Sequence, residues 1–115
     1  AAKIASGKLA LGPEAVFARA ILCNALVCLA VWLTFAAREV SGKILAILWP
    51  ITAFVALGFE HSIANMYLIP AGWAFGGAID LGGFAENLVV VTLGNVIGGA
   101  GGVAASYWAI YLEKD

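Results

Sequence analysis

Between Glu14 and Arg38 the chain reads AVFARAILCNALVCLAVWLTFAA, 23 residues with one charge among them. From Ile44 to Ile79 a second run of 36 residues contains only Glu60 and His61 able to carry charge near neutral pH, and a third apolar stretch extends from Leu88 to about Leu112. Roughly 20 apolar residues suffice for a helix to cross the hydrocarbon core of a bilayer. In lipid, a spanning chain must satisfy its backbone groups internally, as a helix or a closed barrel does. These runs therefore point to an all-α integral membrane protein. Composition agrees: 63% of the residues are hydrophobic and 11% charged, where soluble domains carry about 25% charged.

The net charge of -1 says nothing about partners, and no basic patch with interleaved aromatics points to nucleic acid. Cys23 and Cys28, five apart in one apolar run, form no metal pattern and would bridge awkwardly on one helix. They read as small hydrophobes at helix interfaces. The chain opens AAKIASGK, without a start methionine or a signal peptide, which suggests a fragment or a processed piece.

The first span is expected over about residues 14–37. Pro13 suits a first turn because its missing N–H would be unpaired there, and Glu14 faces the positive end of the helix dipole. The second apolar region is too long for one ordinary span and is interrupted by Pro50, Gly58 and Pro70. A continuous helix through Pro50 would lose a hydrogen bond and clash with the preceding turn. The expectation over residues 43–79 is accordingly a helix broken near Pro50–Glu60, one piece ending before Phe54–Phe59 and another starting near Glu60. Broken helices at membrane depth recur in transport proteins. The Gly-rich stretch from Ala71 to Asn87, with Asp80 and Glu86, reads as an interfacial connector. A last span is expected over about residues 87–112, with small residues at Gly94, Gly98, Gly102 and Ser106 forming a flat face for close packing. Trp108, Tyr111 and the charged tail mark an interface. Three crossings put the two ends on opposite sides. The split of Arg38, Lys43 and Lys114 against Lys3 and Lys8 favours a cytoplasmic C-terminus.

Within this apolar chain, GFEHSIANM places Glu60 and His61 side by side, with Asn65 one helical turn beyond His61. Ionisable side chains at mid-bilayer cost about 2.5–3.5 kcal/mol each even on insertion scales, so they usually face a bundle interior or a cavity. Histidine exchanges protons near neutral pH, which suits a relay. The plainer alternative is a polar network that holds the break together. A haem ligand lacks a second axial partner, and EHSIAN has neither HExxH nor a Ser–His arrangement; an enzyme, a metal site and a cofactor are not expected. Asn24, in mid-span, must find a partner within the bundle, as must Asn95. Lys8 lies just before the first span, near an interface.

These residues resemble the formate/nitrite transporter family, specifically its C-terminal half. The resemblance rests on ILCNALVCLAVW (Ile21 to Trp32), GFEHSIANMYLIP (Gly58 to Pro70) and NLVVVTLGNVIGG (Asn87 to Gly99), in the family's order. It implies an aquaporin-like fold of six transmembrane helices in two inverted three-helix repeats, here the single domain 1–115 with helices four to six and without the N-terminal repeat. It implies a homopentamer in the inner (plasma) membrane, one pore per protomer. Carried over singly, His61 matches the central pore histidine, with Glu60 beside it and Asn65 behind. Lys8 matches the lysine near the external mouth that attracts the anion, Asn24 and Asn95 the buried asparagines near it, and Phe54 the aromatic of the outer constriction. The implied function is passage of a small monovalent anion, formate first, with nitrite or hydrosulfide as alternatives. A neutral-solute pore has no NPA motif in its support, and a half-subunit inactive without its partner repeat is a further reading.

Overall fold

A computed structural model describes residues 2–78 and 80–112, and every regular element among them is helical. In chain order these are α1 (Ala2–Leu9), α2 (Pro13–Ala36), α3 (Val40–Ala56), α4 (Ser62–Ala74), α5 (Leu81–Val96), a π-helical stretch (Ile97–Ala104) and α6 (Ala105–Tyr111). The last three join without interruption into one apolar helix, Leu81–Tyr111, which with Pro13–Ala36 is long and apolar enough to cross a membrane. The third crossing is shared by α3 and α4 across the break between them. The assembly is 52 Å long and 17 Å in its thinnest direction. Its apolar side chains, those of α3 above all, stay largely exposed.

Pro13 occupies the first turn of α2 with Glu14 beside it. The helix then runs parallel to α5: Val16, Ala20 and Val91 form the buried core, flanked by Leu11 and Val90. The approach is closest at three glycines. A Cβ on Gly94 would lie 2.6 Å from that of Ala20, one on Gly99 2.5 Å from the Asn24 amide nitrogen, and one on Gly98 would run into the Ile21 carbonyl oxygen. The small-residue stripe thus divides. Gly94 and Gly98 press on α2 within this chain, while Gly102 has nothing within 4 Å.

The break lies in the expected Pro50–Glu60 region, but its first piece runs on past Phe54. Pro50 and Pro70 both lie inside helices, and α3 continues through Phe54 to Ala56. One missing N–H is tolerated in membrane helices; what ends α3 is glycine. Gly58 takes φ 64°, a conformation open to glycine and costly for other residues. Its N–H donates to Val55 O and that of Phe59 to Phe54 O, the paired bonds that close a helix with a left-handed residue after its C-cap. The chain is extended at His61 and helical again from Ser62.

One further expectation changes. The connector expected from Ala71 to Asn87 shrinks to Phe75–Asp80, because α4 persists to Ala74 and α5 starts at Leu81. The Asp80 side chain accepts from the amides of Gly82 and Gly83, so an N-cap outweighs the low propensity of the glycines. The N-terminal residues form a helix of their own, α1, which lies antiparallel along α4 and brings Lys8 to the break.

Candidate functional site

The break is level with Ala20 of α2, about 10 Å along the helix from Pro13 at roughly 1.5 Å per residue. At this depth a broken helix must find partners for the backbone groups it frees, and Asn95 supplies them. Its Oδ1 accepts from the Ser62 N–H at 2.9 Å, and its Nδ2 donates to Glu60 O at 3.0 Å and Ala20 O at 2.8 Å. One buried amide thereby caps α4, satisfies the linker and ties both to α2. Asn24 reciprocates from α2, its Nδ2 donating to Asn95 O at 2.6 Å. That bond lies just before the π-helical stretch, a form often found at functional sites.

A second set of bonds holds the Glu60 carboxylate, which is 1% exposed. Lys8 Nζ donates to its Oε2 at 2.9 Å, and Asn65 Nδ2 donates to the same oxygen. Asn65 also donates to Asn87 Oδ1 at 2.9 Å. Lys8 is therefore the counter-charge of a buried carboxylate. A lone carboxylate would be costly there, and α1 exists at the break to deliver its partner.

His61 is treated differently from its neighbours. It is half-buried, and its ring stacks on Phe54 from the last turn of α3, with centroids 6.1 Å apart and planes 30° apart. Among the described residues no group bonds to the imidazole. The structure thus gathers Glu60, Asn65, Asn95, Asn24 and Lys8 into connected bonds, and sets His61 and Phe54 beside them with the ring nitrogens free. Arginine, lysine and asparagine side chains surround the break, but no group of three or more His, Cys, Asp or Glu residues gathers anywhere in the described chain to hold a metal.

Two participants were not singled out from the sequence. Asn87 shares the buried face of α5 with Val91, Gly94 and Asn95; its position eight residues before Asn95, in an apolar helix, is the signal that could have found it. Arg19 donates from Nη1 to Gly58 O at 3.4 Å, and the signal was an arginine inside an otherwise uncharged span.

Residues 1–109 match the family model described as formate/nitrite transporter. The uncharacterized transporter YrhG of Bacillus subtilis (strain 168) is 50% identical over 112 residues, covering 97% of this chain and 42% of that protein. The probable formate transporter of Methanothermobacter thermautotrophicus is 52% identical over 86 residues, covering 75% of this chain and 31% of its own. A solved pentameric formate channel with formate bound superposes with a TM-score of 0.81 at 38% identity, covering 96% of this chain and 51% of that one. The chain thus spans less than half the length of these curated relatives.

Proposed function

The chain belongs to the formate/nitrite transporter family, and from that membership we propose that it forms one wall of a transmembrane path for a small monovalent anion, formate first. The observation that carries the proposal is the break itself. A chain this apolar keeps six polar side chains (Lys8, Asn24, Glu60, Asn65, Asn87 and Asn95) bonded around one interruption, and leaves beside it one titratable ring with no partner among the described residues. A purely structural break would be served by the network alone.

The chemistry follows from desolvation. A bare anion loses most of its hydration in an apolar constriction and is penalised heavily for it. Taking a proton converts it to a neutral acid that crosses at far lower cost. His61 is the group to supply or relay that proton, since its ring nitrogens are uncommitted and histidine titrates in the physiological range. Phe54, stacked on it, narrows the path and keeps water from solvating the anion. The first amides of α4, which lack partners within their own helix, aim partial positive charge at the same place. Lys8 and Glu60 act as a pair, and with Asn65, Asn24 and Asn95 they hold His61 in position. Nitrite and hydrosulfide share formate's charge, size and weak basicity, so the same device serves them.

The working assembly is a homopentamer, by likeness to the solved pentameric formate channel, set in the inner membrane with an N-terminal repeat completing each pore. Arg38 and Lys43 in and after the α2–α3 link favour a cytoplasmic placement of that link and of the C-terminus. Replacing His61 by Asn, smaller but planar and polar and without a titrating proton, tests the role. The H61N protein should lose pH-linked uptake while keeping its assembly, and undiminished pH dependence would remove His61 from the mechanism.

A further inference from the structure

Anion passage needs a positive field at the break, and the pairing found there changes where that field comes from. The charge of Lys8 is matched by Glu60 at 2.9 Å. His61 is positive only while protonated. Arg19, one helical turn before Cys23 on α2, reaches the same place: its Nη1 donates to the Gly58 carbonyl at 3.4 Å, three residues from His61 in the chain. It has no carboxylate within ion-pair distance among the described residues. A charged side chain inside an apolar span is costly and, where retained, tends to mark an ion path or a buried partner. Here the partner is a carbonyl at the C-terminal end of α3, whose dipole offsets part of the charge but supplies no full counter-ion. Arginine stays protonated at any working pH and offers five donors, of which Gly58 takes one.

We infer that Arg19 is a positioning residue of the anion path, steadying the Gly58 turn and supplying the unmatched positive charge that concentrates anions beside His61. The inference rests on the anion-path reading. It separates two duties within the site: Arg19 sets how readily an anion arrives, and His61 sets what happens to it there. A fixed charge within several ångströms of a bound anion, acting through a partly aqueous medium, changes occupancy by about an order of magnitude.

The test is saturation kinetics of formate, nitrite and hydrosulfide flux in proteoliposomes containing the protein, the R19K variant and the R19Q variant, at low and high ionic strength. R19Q should raise KM about tenfold with maximal flux within a factor of two, and R19K should keep the original KM. The unmodified protein should show KM rising with salt, and R19Q should lose that rise. A change in folding alone would lower maximal flux through loss of active protein and leave KM and its salt dependence in place, overturning the inference. A KM in the unmodified protein that ignores ionic strength would overturn it even where R19Q fails to assemble. Absence of flux of all three anions in the unmodified protein would overturn the anion-path reading as well, whereas saturable flux with R19Q unchanged in KM would overturn only the role of Arg19.

Discussion

Replacing Asn95 by Leu, which has the same side-chain branching but larger, apolar ends, asks how much of the break depends on one amide. Three bonds are lost, to Ser62 N–H, Glu60 O and Ala20 O. The Ala20 carbonyl keeps its place in the α2 ladder, but the Ser62 amide and the Glu60 carbonyl have no other partner among the described residues. A net hydrogen bond contributes about 1 kcal/mol in water-soluble proteins, and bonds between membrane helices average about 0.6 kcal/mol. Three bonds therefore amount to about 2–3 kcal/mol, and leaving the two backbone groups buried and unpaired moves the total to the upper end. Reversible unfolding in mixed micelles measures it. The account expects N95L to lose about 2–3 kcal/mol, together with most of its anion flux, because His61 would no longer be held at a fixed helix start. A loss under about 0.5 kcal/mol would refute the reasoning, since the break would then be stable without its cap.

The Lys8–Glu60 pair should behave asymmetrically. K8M leaves a buried carboxylate without its counter-charge and should cost about 3–5 kcal/mol, whereas the double variant K8M/E60Q should recover most of that in the same unfolding assay. The glycines of the last span offer a matched comparison. G98A drives a Cβ into the Ile21 carbonyl, and should part α2 from α5 and lower the melting temperature sharply. G102A meets nothing within 4 Å and should be neutral or gain up to about 1 kcal/mol from helix propensity.

How much of this was legible depended on whether a residue's partner was local. The three crossings followed from apolar length alone, and the family from three short blocks. The existence of the break was readable because Gly58, Glu60 and His61 have no other place in an apolar chain. Its place near Pro50–Glu60 was readable too, but not the end of the first piece past Phe54, because a membrane helix absorbs the donor missing at Pro50 and the left-handed glycine decides the end. Asp80 held the signal for the true start of α5, an N-cap acid, but the glycines after it suggested a connector. Within the site, the residue types were visible and the pairing was not. Lys8 finds Glu60 across 52 residues, Asn24 finds Asn95 across 71, and Asn95 finds Ala20 across 75, distances over which no spacing rule operates. The π-helical run IGGAGGVA left no trace that distinguishes it from an ordinary small-residue helix.

The central claim is that this break passes a small anion with a titrating histidine beside it. Its most direct test is uptake of formate, nitrite and hydrosulfide by proteoliposomes containing the purified protein, measured with and without an inward proton gradient. The account predicts flux that rises with the gradient and ranks formate first. Absence of flux for all three, in vesicles where the protein is folded and inserted, would contradict it and leave the chain as a structural half of a pore.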